Sequence, residues 1–361
     1  MIYSNLIANQ NIINNLNNYI YNNKIPNAFL FYGPEGTGKF GHALEFCATL
    51  LCTNKYENKS ACGECISCNK IKNNIHENIK YIYPISSSKT NENSDTIQDR
   101  IQIDSKSPYI DLKFTKNNSI PISSIRDVKK SLSLSNINND YQIHLIIESE
   151  KLCFPRQESA NALLKILEEP AENNLFILLS SNHAKIIDTI KSRSTQIYFP
   201  KIKIDAIENY LSSTVQQAKK EDCNEIANLC NGNIIEAKKL IDDYSALKLD
   251  LNKLIKIIYN NEFSSWIKFT DRNTKIDTQL NLLKLFFLDI ILMKNNNKNH
   301  IKLNSFLDII TKYISKFPNV DYEKIINDID MFHTNKSKNV YLPLSLMDLF
   351  INIQSSLNKK Y

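Results

Sequence analysis

A chain of 361 residues is longer than one comfortable hydrophobic core and predicts two or three domains. A net charge of +6, from 44 basic against 38 acidic residues, describes a mixed surface and excludes a purely electrostatic nucleic-acid stripe. Eight cysteines, with no basic-then-apolar leader at the N-terminus, predict a cytoplasmic protein whose cysteines include metal ligands rather than a disulfide framework.

Residues 4–25 place Leu6, Ile12, Ile13, Leu16, Tyr19 and Ile20 at helical spacing, and Pro26 bounds the segment. Phe29-Leu30-Phe31-Tyr32 then reads as a buried strand running into Gly33-Pro34-Glu35-Gly36-Thr37-Gly38-Lys39-Phe40. Four of the chain's six glycines (Gly33, Gly36, Gly38, Gly41) fall here. The spacing fits G-x-x-x-x-G-K, a loop whose backbone N–H groups cradle phosphates while a lysine reaches the outer ones. Gly33, Gly36, Gly38 and Lys39 are therefore the candidate nucleotide-binding residues. The next position should carry a hydroxyl for Mg²⁺, and Phe40 has none. Phe40 to Leu51 follows as the helix whose N-terminus faces the loop, with Ala43, Phe46, Cys47 and Leu50 at helical intervals.

Cys52, Cys62, Cys65 and Cys68 form C-x9-C-x2-C-x2-C, with Gly63 in the turn. Four thiolates at this spacing close a tetrahedron around Zn²⁺ and leave no position open for catalysis, which predicts a structural site. Cys47, Cys153, Cys223 and Cys230 sit at apolar positions and are expected to be buried core thiols. Residues 86–119 are polar and aperiodic, so an exposed surface loop is expected there. A helix follows Ile120-Pro121-Ile122, burying Ile125, Val128, Leu132 and Leu134.

Tyr141 to Glu148 reads as a buried strand. In a phosphate-binding fold of this kind its end should carry a Mg²⁺-holding Asp and often a Glu for the attacking water. This chain has Ile147-Glu148, so the Glu is present and the metal-holding carboxylate is not. Ser159 to Pro170 is a helix with Ala160, Leu163, Leu164 and Leu167 inward, and Leu175–Leu179 is a further strand. A helix then ends at Ser192-Arg193-Ser194, and Thr195–Phe199 is the last strand. Residues 201–245 form a small helical region burying Ala227, Cys230, Ile234 and Ala237. Everything from about 250 is helical, including Leu280–Met293, Ile301–Phe317 and Leu344–Ile353. The run from Leu280 to Met293 is too short to span a bilayer.

These stretches together resemble the clamp-loader branch of the AAA+ proteins, nearest to the delta-prime family of bacterial DNA polymerase III. The resemblance rests on Ile25-Pro26-Asn27-Ala28-Phe29-Leu30, the loop, the inserted four-cysteine module and Ile120 to Arg126. It continues through Ala160-Asn161-Ala162-Leu163-Leu164-Lys165, Leu167-Glu168-Glu169-Pro170 and Ser192-Arg193-Ser194. Asn27 and Ser194 depart from it, standing where the family has His and Cys.

The resemblance implies an α/β P-loop AAA+ domain, a parallel sheet flanked by helices with a zinc-binding insertion, followed by a helical lid and an all-α collar. The boundaries it suggests are 1–200, with the zinc module at about 52–68 and the polar insertion at about 86–119, then 201–247 and 248–361. It implies that Arg193 acts in trans as an arginine finger on the ATP of a neighbouring subunit. It also implies partners: gamma/tau and delta-type subunits in a hetero-oligomeric ring, and through the ring a sliding clamp and primer-template DNA, with no membrane. Within Gly232-Asn233-Ile234-Ile235-Glu236-Ala237, the family's motors carry an arginine where Ile235 stands. Phe40, Ile147 and Ile235 thus predict an ATPase-deficient subunit that has lost its Mg²⁺ site; the sequence leaves open whether ATP still binds. The rival expectation is an ATP-hydrolysing gamma/tau-type motor, against which Phe40 and Ile147 speak.

Overall fold

The computed structural model describes residues 1–55, 60–85, 107–111, 114, 117–132, 141–215, 219–271, 275–297, 300–336 and 341–358. These residues divide into two compact units, Met1–Tyr210 with Asn231–Glu236, and Leu211–Cys230 with Ala237–Tyr361.

The first unit is built on a five-stranded sheet of β1 (Ala28–Tyr32), β2 (Ile79–Ile82), β3 (Gln142–Ile146), β4 (Asn174–Ser180) and β5 (Thr195–Tyr198). Its order is β2-β3-β4-β1-β5, and every pairing is parallel. Parallel strands buried on both faces read as unbroken apolar runs, and Phe29, Leu30 and Phe31 in β1 and all of β4 are buried accordingly. Alternation sends Phe29 and Phe31 to one face, where Phe29 meets Tyr19 at 5.3 Å and Phe46 at 5.4 Å between ring centroids. Those rings belong to α1 (Gln10–Tyr21) and α2 (Lys39–Leu51). Ala28 and Leu30 face the other side and share a core with residues of α4 (Ile122–Leu132), α5 (Glu158–Glu168) and α6 (Asp188–Ser192); α3 (Ile66–Lys72) lies between α2 and β2 in the chain. Three layers, helices on both faces of a parallel sheet, are the α/β architecture that the sequence predicted.

The elements start and stop for local reasons. The first helix begins at Gln10 rather than near residue 4, because the Asn9 side chain accepts the Ile12 N–H and sets the N-cap. In α4, Ile125 and Val128 are buried and Leu132 is half-buried, while Leu134 lies outside the described residues. In α5 Ile166 joins Ala160, Leu163 and Leu167 in the core, and Leu164 packs against it half-buried. The expectation of an exposed loop over 86–119 lies mostly outside the described residues. Where residues are described, Tyr109 and Ile110 are buried, and Tyr109 packs edge-on against Tyr210 while its hydroxyl accepts the Ile7 N–H. Two large apolar side chains at the end of that stretch override its polar average.

The second unit is helical, comprising Lys220–Leu229, Ile234–Tyr259 from Ala237 onward, Phe263–Asp271, Ile276–Lys294, Leu307–Lys316, Tyr322–Lys336 and Leu342–Leu357. Trp266 is completely buried, its indole N–H donating to Leu346 O at 2.9 Å and its ring 5.2 Å from Phe350. Asp289, in the middle of the longest apolar run, is buried because its carboxylate accepts the N–H groups of Lys302 and Leu303 at 2.8–3.2 Å. Among the described residues no helix is long and apolar enough to cross a membrane.

Candidate nucleotide loop and metal centre

The glycine-rich loop follows β1 and ends in α2, so the N-terminal N–H groups of that helix open toward the loop. Two of its glycines are required by close approach. A Cβ at Gly33 would stand 2.1 Å from Phe199 O, and one at Gly36 (φ +66°) would stand 1.8 Å from Asn233 Oδ1. Asn233 is itself the N-cap of helix Ile234–Tyr259, accepting the N–H of Ile235 at 3.1 Å and of Glu236 at 3.2 Å. The Ile234 N–H donates to Gly36 O at 3.2 Å, so this helix start is tied to the loop. Sequence reasoning passed over Asn233, although an Asn one residue before a helical run is a capping signal.

Lys39 is turned back on its own loop, donating from Nζ to Gly33 O at 2.7 Å and Pro34 O at 2.6 Å. Burial lowers its pKa to about 8, against the opposing pull of Glu150 and Glu35. In the neighbouring helix His42 is neutral in character: burial depresses its pKa, the Asn9 N–H donates to Nε2, and Nδ1 faces Gly38 O at 2.8 Å.

The two positions where Mg²⁺ ligands were expected and found missing come together. Phe40 and Ile147 belong to one apolar cluster with Ile110, Tyr81, Tyr83 and Phe114. Ile147 is 7% exposed, and the rings of Phe40 and Tyr81 stand 6.4 Å apart. Both positions are thus taken by apolar side chains that pack in the same cluster. Beyond β3 the chain turns through Glu148, whose backbone is left-handed at φ +48°, into a short 3₁₀ turn, Ser149–Cys153. Cys153, expected in the core, is only half-buried because it lies at the exit of this turn.

Glu148 is half-exposed and its pKa is pushed up to about 7, by burial first and by the neighbouring Glu150 second. Glu150, which sequence reasoning missed, is buried. Its Oε1 accepts the backbone N–H and the hydroxyl of Ser181 at 3.2 and 2.8 Å, and its Oε2 has no hydrogen-bond partner among the described residues. A Glu four residues beyond a strand carries no motif of its own; its role comes from the end of β4, which brings Ser181 alongside.

Arg193 caps the C-terminus of α6, and its guanidinium is fixed twice. Nη2 stands 2.7 Å from Glu168 Oε1, and Nη1 donates to Thr189 O at 3.3 Å.

The four cysteines of the expected metal module are brought together. Their sulfurs all lie within 4.8 Å of one another, with Sγ–Sγ distances of 3.6 Å for Cys52–Cys62, 3.8 Å for Cys52–Cys65 and 3.9 Å for Cys62–Cys68. A tetrahedron with metal–sulfur bonds of about 2.3 Å has sulfur–sulfur edges of about 3.8 Å, so the cage has the size of a four-thiolate metal site. The backbone N–H groups of Cys62, Cys65 and Cys68 point at the sulfurs of Cys52, Cys62 and Cys65 at 3.3–3.4 Å, which favours thiolates. N–H groups of Glu64 and Cys65 hold the Cys62 thiol below its ordinary range. Cys52 is the C-cap of α2 and Cys65 the N-cap of α3, so two helix ends fix the cage. The four cysteines can hold a metal ion, and nothing in the geometry opposes the zinc expected from their spacing.

Residues 8–203 match the family model described as DNA polymerase III, delta subunit, which is more than half of the chain. The chain belongs to that family. Among curated relatives, it is 22% identical over 295 residues to the DNA polymerase III subunit delta' of Bacillus subtilis, covering 79% of this chain and 78% of that protein. It is 27% identical over 256 residues to the DNA polymerase III subunit tau of the same organism, covering 70% of this chain but only 39% of the relative. The subunit delta' of Pseudomonas aeruginosa is 25% identical over 213 residues, 59% of this chain and 55% of that protein. Among solved structures, a DNA polymerase III gamma subunit-related protein from Thermotoga maritima aligns over 81% of this chain and all of that one, at 16% identity and a TM-score of 0.35.

Proposed function

We propose that the chain is an ATPase-deficient subunit of the DNA polymerase III clamp-loader complex. In this reading it helps load the sliding clamp onto primed DNA and supplies Arg193 as an arginine finger to a neighbouring ATPase subunit. Its partners are gamma/tau and delta-type subunits, with the lid (201–247) and collar (248–361) following the P-loop domain (1–200), and the protein works in the cytoplasm. The observation that carries the proposal is the joint packing of Phe40 and Ile147 in one apolar cluster. Phosphoryl transfer of the P-loop kind depends on a cation held by a loop hydroxyl and a strand-end carboxylate. Both oxygens are replaced by carbon here, and the carbon atoms share a packed neighbourhood. Lys39 bonded to its own loop carbonyls and Ile235 in place of an arginine support the same reading. They weigh against the gamma/tau motor.

The cysteine cage is assigned to one structural Zn²⁺, because an all-thiolate tetrahedron suits that ion and leaves no exchangeable position. The residues that would hold it are Cys52, Cys62, Cys65 and Cys68.

The test is phosphate release by the purified chain with ATP, Mg²⁺ and primed DNA. The expected result is no turnover above background. Mg²⁺-dependent hydrolysis that Lys39→Ala abolishes would overturn the reading.

A further inference from the structure

We infer that Glu168 is a positioning residue for Arg193, holding its guanidinium in a fixed orientation for the site on the neighbouring subunit. The inference rests on the arginine-finger reading of the previous subsection and adds a residue to it.

Glu168 is the last residue of α5, where the carbonyl end of the helix disfavours a carboxylate unless a cation stands beside it. Arg193 is that cation, with Nη2 at 2.7 Å from Glu168 Oε1. The second anchor is Thr189 O, reached by Nη1 at 3.3 Å. A guanidinium has five N–H donors in a rigid fork, so two contacts fix its plane and leave three donors for another acceptor. The Arg193 side chain is 38% exposed, enough for those donors to reach outward.

The frame behind the pair is rigid. Leu167, next to Glu168, and Ile190, within the helix that Arg193 caps, are both buried in the same core. Side chains also reach the carbonyls at the end of α6: Ser192 Oγ donates to Thr189 O, Ser194 Oγ to Ile190 O and Gln196 Nε2 to Lys191 O, at 3.1, 2.9 and 3.3 Å. Ser194, which departs from the family's Cys, thus contributes to the same support. A long flexible side chain presented to a partner loses less entropy when it is already oriented, and misplacement of a catalytic group by about 1 Å can cost about 100-fold in rate.

The experiment is a double-mutant cycle on the full chain, reconstituted with a tau-type ATPase subunit, its delta-type partner, clamp and primed DNA. ATP turnover is resolved into kcat and KM, and assembly and thermal unfolding are checked for each variant. Glu168→Ala should lower kcat about 3- to 30-fold at unchanged KM, Glu168→Gln should retain most of the rate, and Arg193→Ala should lower it further. Adding Glu168→Ala to Arg193→Ala should cost nothing more. If Arg193→Ala alone turns over at the wild-type rate, the arginine-finger reading fails and the inference with it. If Arg193→Ala is slow while Glu168→Ala is unchanged or faster, only the inference fails. Additive losses in the double variant would equally overturn it, because Glu168 would then act independently of Arg193.

Discussion

Replacing Glu148 with Gln isolates a pH-dependent cost built into the end of β3. The substitution keeps the size of the side chain and the same left-handed backbone, so the strain at φ +48° is common to both proteins. What it removes is a carboxyl whose pKa is raised from 4.5 to about 7, chiefly by burial and next by Glu150. Between those values the folded chain binds more protons than the unfolded one, so the wild type loses stability as pH rises through that window. A full shift of this size corresponds to about 3 kcal/mol at about 1.4 kcal/mol per unit, and solvent screening of the half-exposed group reduces it to about 1–2 kcal/mol. Relative to wild type, Glu148→Gln should therefore be neutral at pH 4 and more stable by about 1–2 kcal/mol at pH 8. Urea unfolding of both proteins across that range measures the difference. An equal difference at both pH values would refute the reasoning, since an uncharged effect of the amide does not titrate.

The remaining expectations concern separate parts of the molecule. Phe40→Ala should destabilise the first unit by about 1–3 kcal/mol, less than a fully buried ring would cost, as measured by urea unfolding. Cys65→Ser should lower zinc content from one ion per chain and weaken the module locally; metal analysis unchanged from wild type would remove the assignment. Asp289→Ala should cost about 2–4 kcal/mol, because it strands the buried N–H of Leu303 and the half-buried N–H of Lys302, and a thermal midpoint equal to wild type would contradict this. Arg193→Ala should change stability by less than about 1 kcal/mol, and a larger loss by urea unfolding would show that the arginine's main work is structural.

Local patterns were legible in the sequence because their physics is local. The glycine spacing of 33–38 fixes a turn within a few residues, and the cysteine spacing of 52–68 fixes a cage between two helix ends. The central strands β1, β3 and β4 were legible for a related reason, since burial on both faces leaves no polar alternation to confuse the reading, whereas the edge strand β2 (Ile79–Ile82), with Lys80 exposed, was not read from the sequence. The sequence did show that Phe40 and Ile147 lacked oxygens, but not that they share a cluster, because bringing residues so distant in the chain into one cluster follows from β3, β4 and β1 lying in that spatial order. The pairing of Glu168 with Arg193 was hidden for the same reason, since it depends on two helix ends meeting over a common core. Tyr109 and Ile110 escaped notice because a window average over polar neighbours dilutes two buried side chains.

The cluster that joins Phe40 to Ile147 also bears on what substitutions could do over time. A hydroxyl at 40 alone would stand in the apolar cluster that contains Ile110 and Ile147, and a carboxylate at 147 alone would replace a buried isoleucine in the same apolar surroundings. Each single step lowers stability before any cation could repay it, and only the two together would begin to build a site. Under the ATPase-deficient reading proposed above, packing acts as a ratchet: it opposes one-step routes to a metal-binding loop.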